Sequence, residues 1–366
     1  MAAALHTGSN PPPSSASRRT HGDTVRVVII DDSLTVRTVY SRMIDQADGF
    51  AIVAKEASAE KGIAALARIE ADVVLLDLEM PGMGGLEALP KILAANEGIQ
   101  VLVVSSLTDE GAEATLSALS MGAADTMLKP RPGDFNDEYR ATLLAKIRAL
   151  SGKADGDTDE SIAPVAPLLA ADRKKPQIIA IGASTGGIHA LNLFLRRLPQ
   201  SFDLPILITQ HLPSSFMSVF TRQMEMAAGR EAIIADEGVE ILPGRVIIAP
   251  GHGHMTVRRA GGRHVTGLSY DPVKSGCTPS VDPMFTTIAE AYDGHAAGIL
   301  LSGMGRDGTD GATALARAGG SIYAQDEASC AVWGMPRTVS ETGIAIATLP
   351  PQELADELVA SLGGSS

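Results

Sequence analysis

From Val25 onward, short apolar runs alternate with segments whose apolar residues return every three or four positions. The runs VRVVII, AIVAKEAS, DVVLLD, VLVVSS and TMLK each lead into a helical segment. The first four of these helices start at Leu34, Ala59, Gly85 and Ala112, and the fifth ends near Leu150. Five strands alternating with five helices predict a doubly wound parallel sheet. A second unit opens at Gln177. Its first five residues are apolar and β-rich, and Ile188, Leu191, Leu195 and Leu198 come after them at helical spacing, so Gln177 to Leu198 reads strand, tight turn, helix. Strand-like runs recur at Pro205–Thr209, Glu231–Ile234, Arg245–Ala249 and AAGILLSG. A helix opens after Pro279-Ser280-Val281-Asp282, with Ser280 or Asp282 as its candidate N-cap. The expected fold is α/β, with one doubly wound parallel-sheet domain over residues 25–150 and another over 176–364. Residues 1–24 and 151–175 lack periodicity and are rich in small and polar residues, which predicts a disordered tail and a solvated, flexible linker. Within that linker 165–169 is a small apolar stretch with two readings, an anchor docked between the domains or, the stronger one, a simply mobile segment.

Ligands of such sheets sit beyond the carboxyl ends of the strands. In the first unit those ends carry Asp31-Asp32, Asp77, Ser105-Ser106 and Lys129-Pro130. Three carboxylates with one lysine make an oxygen-rich site for Mg²⁺ and for a phosphoryl group whose charge the metal, lysine and hydroxyl would neutralise.

In the second unit the turn is Gly182-Ala183-Ser184-Thr185-Gly186-Gly187. A serine between glycines at a strand-to-helix junction stands clear of the sheet beside the free N–H groups of the incoming helix. Gly182-x-Ser184-x-Gly186 fits a nucleophile elbow, while Gly182-x-Ser184-x-x-Gly187 is also a dinucleotide fingerprint lacking its middle glycine. A plain structural turn is the third reading. The dinucleotide reading wants an acid at the end of the next strand, but that strand ends in Gln210-His211. Histidine suits a general base for a serine nucleophile. Asp307, in the loop GMGRDG, also falls at a strand end, so Ser184, His211 and Asp307 can meet at one sheet edge. A carboxylate there would fix the imidazole tautomer, and the N–H groups of Met304 and Thr185 are candidates for an oxyanion hole. The order Ser, His, Asp differs from that of α/β-hydrolases. His252-x-His254 has no third ligand at strand or helix spacing and reads as a loop.

Composition narrows the classes. A length of 366 residues suggests two to three domains, and 45% hydrophobic residues suffice for packed cores. A net charge of −13 argues against a nucleic-acid surface. No 18-residue apolar run exists to cross a membrane, and Met1–Leu5 is too short an apolar start for a signal peptide. The two cysteines, Cys277 and Cys330, are far apart and not in metal spacing, which predicts a reduced, cytoplasmic protein.

The motifs IIDDS, LLDLEMPGMGG, VVSS and LKP resemble the receiver domains of two-component response regulators, which are flavodoxin-like. That resemblance implies phosphorylation of Asp77 by a histidine kinase, metal binding by Asp31, Asp32 and Asp77, a switch role for Ser105 and Lys129, and a cis Lys129-Pro130 bond. Thr126 stands where many receivers have an aromatic switch residue, which speaks against an aromatic-rotamer mechanism. Together with IGASTGG, QHLP, APGHGHM, PSVD, LSGMGRDG and DEASCAVWGMPRTV, the chain resembles the CheB family of chemotaxis protein-glutamate methylesterases, from about Val25 to Gly363. The resemblance implies a Rossmann-like esterase domain with Ser184, His211 and Asp307 catalytic and no cofactor for ester hydrolysis. It implies hydrolysis of glutamyl methyl esters, with deamidation of some glutamines, on the cytoplasmic domain of chemoreceptors. A chemotaxis kinase would be the phosphodonor and the receiver would cover the catalytic face. The expected protein is a monomer that binds no nucleic acid and is not inserted in a membrane. Gly276-Cys277-Thr278 departs from the family's usual basic stretch. A same-mechanism esterase acting on another signalling protein, and a phospho-regulated docking module, are the alternatives; an intact Ser/His/Asp set speaks against the latter.

Overall fold

Consecutive apolar residues suit strands covered on both faces, as parallel sheets require. The sequence VVLLD is buried at all five positions, as are IIAIGA, ILITQ and AAGIL. A computed structural model describes residues 24–96, 98–106, 108–130, 136–153 and 173–363. Most of the expected tail and linker, including the apolar stretch 165–169, lies outside the described residues.

The first sheet is built from β1 (Val25–Ile30), β2 (Phe50–Glu56), β3 (Val73–Asp77), β4 (Gln100–Ser105) and β5 (Asp125–Leu128). Its order is β2-β1-β3-β4-β5, every pair parallel. The helices α1 (Leu34–Asp45), α2 (Ala59–Leu66), α3 (Gly85–Ala95), α4 (Asp109–Ser120) and α5 (Asp137–Leu150) connect and follow the strands. Short polar side chains start all of them but α3, which follows Gly84: Ser33 accepts from the N–H of Val36, Ser58 from Lys61 and Asn136 from Tyr139. Helix α4 begins before Ala112, because Thr108 caps it by accepting from the N–H of Gly111 at 2.9 Å.

The second sheet has seven strands: β6 (Ile178–Ala183), β7 (Ile206–Gln210), β8 (Ala232–Ile234), β9 (Val246–Ile248), β12 (Ala296–Leu300), β13 (Ser321–Gln325) and β14 (Ala345–Leu349). They run β14-β13-β12-β6-β7-β9-β8, again all parallel. Helices α6 (Gly187–Arg197), α7 (Met217–Ala228), α8 (Val281–Ala291), α9 (Thr309–Arg317), α10 (Met335–Glu341) and α11 (Pro351–Gly363) accompany them. From β6 the chain first fills one side with β7, β8 and β9, β8 at the edge, and later the other side with β12, β13 and β14, so the order reverses between β6 and β12. That switch point is where the doubly wound fold leaves a crevice. One element stands apart, an antiparallel hairpin of β10 (His254–Ala260) and β11 (Arg263–Ser269) packed on α8. It begins within the stretch that reads as a loop around His252 and His254, because His254 is the first residue of the ladder.

The two sheets share one buried apolar cluster, which joins Leu116, Leu119 and Ala123 to Ile188, Leu191 and Phe216. Hydrogen bonds cross the same contact. The Gly186 N–H donates to the Ala124 carbonyl at 2.6 Å, and Thr185 Oγ1 donates to Asp125 Oδ2 at 2.7 Å. Gln223 Nε2 donates to the Leu116 carbonyl at 3.0 Å, and Arg222 pairs with Glu113 at 2.7 Å near the rim.

Helix α8 holds the second core together. Phe285 is fully buried, and Gly298 and Gly311 lie against it so closely that an added Cβ would sit 3.2 Å and 2.8 Å from its side chain. Phe285→Ala therefore leaves a cavity that neighbouring backbone cannot fill, and it should cost about 3–5 kcal/mol of stability. The expected result is a lower urea midpoint for the unfolding of the second sheet, monitored by circular dichroism.

Candidate active site

Strand β6 delivers Ser184 to the switch point. Its N–H donates to the Ser302 carbonyl at 3.0 Å, and its carbonyl accepts from Gln210 Nε2 at 2.9 Å and from the Gly187 N–H at 2.8 Å. Gly186, with φ of +78°, turns the chain into α6. A Cβ on Gly186 would stand 2.6 Å from Ala331 Cβ and from Ser302 Oγ. Both conformation and space thus demand glycine in the turn.

Strand β7 delivers His211, whose N–H donates to the Ala183 carbonyl at 3.0 Å, one residue from Ser184. The loop after β12 delivers Asp307, which is 2% exposed. Three donors converge on its carboxylate: Ser280 Oγ on Oδ1 at 2.6 Å, and on Oδ2 the Val281 N–H at 2.7 Å and His211 Nε2 at 2.8 Å. Burial alone would push this carboxyl upward, but the donors and the imidazole hold it below the usual carboxylate range. Burial likewise opposes charge on His211, yet Asp307 and the neighbouring Cys277 outweigh it and raise the imidazole to about 9. The Nε2 side of the ring therefore faces the carboxylate.

Ser280 is the N-cap residue of α8 by position, but its hydroxyl caps nothing. It serves Asp307 instead. Its N–H donates to His254 Nδ1 at 3.0 Å, and the other nitrogen of that ring lies 3.1 Å from the Asp271 carbonyl. Asp282 does not cap α8 through its side chain either; its Oδ1 accepts from the Gly311 N–H at 2.7 Å, tying α8 to α9. Burial, with the Asp307 charge nearby, pushes Asp282 up to about 6. The pattern PSVD is thus a brace for the acid. Its spacing was visible in the sequence, but its target was not.

Of the residues singled out for this edge, Ser184, His211 and Asp307 come together at the ends of β6, β7 and β12. Among the described residues no hydrogen bond joins Ser184 Oγ to the His211 ring, and no protein group takes the Thr185 or Met304 N–H. Met304 is 46% exposed at the mouth of the crevice. Ser184 and His211 line a cavity of about 10 Å³, closed from the far side by Leu119, Ala124, Asp125 and Thr126. A space of this size holds about one water and no ester. Cys277, unassigned by any pattern, has its sulfur near the same His211 and Asp307.

At the end of the first sheet, Lys129 Nζ lies 2.5 Å from Asp77 Oδ2 and 3.3 Å from Asp31 Oδ2. Asp77 Oδ1 accepts from the Glu79 N–H at 3.0 Å, and Asp31 Oδ1 from the Ser33 N–H at 2.8 Å. Burial pushes the Asp77 carboxyl above its ordinary value, and Lys129 offsets only part of this. Asp31 Oδ2 and Ser105 Oγ are buried without a hydrogen-bond partner. The ligand oxygens of Asp31, Asp32 and Asp77 lie within 4.8 Å of one another. Orphaned oxygen acceptors around a half-exposed mouth suit a hard divalent cation, so the donor set fits Mg²⁺. Among the described residues the cis peptide bond is Thr278–Pro279. Lys129–Pro130 is trans, contrary to expectation; Lys129 reaches Asp77 in that form, while its N–H continues the ladder to the Ser105 carbonyl at 2.7 Å.

The family model for CheB methylesterase matches residues 179–358, and that for the response regulator receiver domain matches residues 27–138. A protein-glutamate methylesterase/protein-glutamine glutaminase 2 of Caulobacter vibrioides is 42% identical over 90% of this chain and 96% of its own length. The protein-glutamate methylesterase/protein-glutamine glutaminase of Azospirillum brasilense is 38% identical over 95% of this chain and 96% of its own. The solved methylesterase catalytic domain of Thermotoga maritima CheB, 33% identical, covers 51% of this chain and 98% of that one at a TM-score of 0.49.

His211 should titrate well above the 6.5 of a free imidazole, near 9, when its ring nitrogens are monitored by NMR. Asp307→Asn removes the charge that outweighs burial, so the titration should move down. A wild-type midpoint at or below 6.5 would contradict this account.

Proposed function

This chain belongs to the CheB methylesterase family and carries that family's receiver, and from this premise we propose that it is a phosphorylation-activated protein-glutamate methylesterase. Its substrate would be the glutamyl methyl ester on the cytoplasmic domain of chemoreceptors. The supporting observation is the meeting of Ser184, His211 and a fully braced Asp307 at one sheet edge, with Leu119, Ala124, Asp125 and Thr126 lining a narrow gap over the serine and the histidine.

Residues 25–150 form the receiver in this reading and residues 176–364 the esterase. Ser184 Oγ attacks the ester carbonyl while His211, acting from the deprotonated fraction that its raised titration leaves, takes its proton, and Asp307 stabilises the imidazolium. The Thr185 and Met304 N–H groups receive the oxyanion, a role in which one donor is worth about a hundred- to a thousandfold in rate. Collapse expels methoxide, which leaves as methanol with the proton from His211. Water, deprotonated by the same histidine, then cleaves the acyl-enzyme to glutamate and free serine. A glutamine side chain would take the same course and release ammonia, so the chain is also a protein-glutamine deamidase.

In the receiver, Asp77 takes the phosphoryl group from the chemotaxis kinase. Bound Mg²⁺, held by Asp31, Asp32 and Asp77, would neutralise phosphoryl oxygens. Lys129 and Ser105 would contact the phosphoryl oxygens as well. Strand β5 links this event to the esterase, because Lys129 closely succeeds Asp125, the residue that holds Thr185. Asp125 also pairs with Lys146 at 2.5 Å, so a shift of β5 disturbs both contacts. The receiver then leaves the elbow, a population shift rather than new chemistry.

Among the described residues no helix is long and apolar enough to cross a membrane. The protein acts from the cytoplasm, where receptor and kinase domains meet, and nothing in the mechanism needs more than a monomer.

Methanol release from methylated receptor membranes should rise with a small phosphodonor plus Mg²⁺. It should vanish in Ser184→Ala and lose its phosphodonor response in Asp77→Asn. Asp125→Ala should raise release without phosphodonor, by about threefold to tenfold if roughly 1 kcal/mol of contact is lost. No release under any condition would redirect the reading to another methylated protein or to docking.

A further inference from the structure

The cluster of His211, Asp307 and the neighbouring Cys277 has the composition of a transition-metal site. Cys277 lies on the loop before Pro279, half-exposed, in a turn where its N–H donates to Ser275 Oγ at 3.3 Å. One ligand atom each from His211, Cys277 and Asp307 all fall within 4.8 Å of one another. We propose that these three residues form a binding site for Zn²⁺ or a similar soft divalent ion, and that its occupancy shuts off hydrolysis.

The donor set carries the choice of metal. A thiolate, an imidazole and a carboxylate select zinc-class ions, whereas the all-oxygen set of Asp31, Asp32 and Asp77 selects Mg²⁺. Zinc bonds of about 2.0–2.3 Å place tetrahedral ligands roughly 3.3–3.7 Å apart. The three atoms need shifts of well under an ångström to roughly one ångström to reach that spacing, and the 2.8 Å contact between His211 and Asp307 must open slightly. Ser280 Oγ and the Val281 N–H already orient the Asp307 carboxylate. Cys277 and His211 are each partly exposed and Asp307 is buried, so the thiol and the imidazole are the ligands nearest solvent. On capture, the thiol proton of Cys277 leaves to solvent, and any proton on the coordinating ring nitrogen passes to the other nitrogen or to solvent. No electron moves.

The inhibitory consequence rests on the esterase reading, since a metal-bound His211 cannot accept the serine proton. The binding site itself does not. Receiver and esterase would thereby respond oppositely to two metals, one hard and one soft.

The test uses the full-length, reduced protein in saturating Mg²⁺, titrated with Co²⁺ as a spectroscopic stand-in for zinc. A thiolate-to-cobalt charge-transfer band in the near ultraviolet should appear, be lost in Cys277→Ser, persist in Cys330→Ser, and be displaced by Zn²⁺. Zn²⁺ should also inhibit methanol release, with the inhibitory concentration at least about tenfold higher in Cys277→Ser, the scale on which even outer-shell partners act. No band in the wild type, or a band that survives in Cys277→Ser, overturns the site. A Cys277-dependent band in a protein that releases no methanol keeps the site and removes the esterase reading.

Discussion

A carboxylate taken out of water must find its hydrogen bonds inside the protein, and Asp307 finds three of them. The Ser280 hydroxyl and the Val281 N–H come from the start of α8, and the His211 ring from the end of β7. Losing one such partner would leave a buried charge short of a donor, at a cost of several kcal/mol for the pair. The loop after β12 therefore cannot drift from α8, nor α8 from β7. His254 extends the chain of constraint to the hairpin, because its ring holds the N–H of Ser280. The hairpin is not decoration on a parallel sheet; it fixes the residue that fixes the acid.

The serine turn obeys a complementary rule. A helix N-terminus has N–H groups with no partner of their own, and in the closed arrangement the receiver supplies partners for the turn from Ala124 and Asp125. Closure thus satisfies groups around the serine that would otherwise face solvent or substrate. The apolar contact of Leu116 and Leu119 with Ile188 and Leu191 adds a non-directional term that slides more easily than it breaks. Both terms converge on the short β5, so the mobile part of the device is small.

The parallel architecture was legible because buried strands are written as unbroken apolar runs, and the two sites because chemistry-bearing residues end those runs. Ser184, His211, Asp307 and Asp77 could each be found at or just beyond the carboxyl end of a strand. Contacts between distant loops were not legible. Ser280 and Asp282 read as helix caps by local pattern, yet tertiary partners took both side chains, one going to Asp307 and the other to Gly311. The hairpin of His254–Ser269 was hidden by glycines and histidines that locally favour a turn. Cys277 carried no motif at all, since only the folded loop brings its sulfur to His211. The absence of an aromatic at Thr126 was visible, but not that this residue would line the gap above Ser184.

That gap has a consequence for the resting state. With about 10 Å³ between the receiver and the Ser184–His211 pair, an ester does not fit in this gap, so on the proposed reading unstimulated turnover reports separation of the two parts. The background leak is then a counter of opening events, and a tenfold change in it corresponds to about 1.4 kcal/mol of contact. Arg222 and Glu113, both more than half exposed, sit where ionic strength reaches them. Salt and small rim changes can therefore trim the baseline by modest factors while the buried contacts set its scale, giving the signalling output an adjustable idle without touching its chemistry.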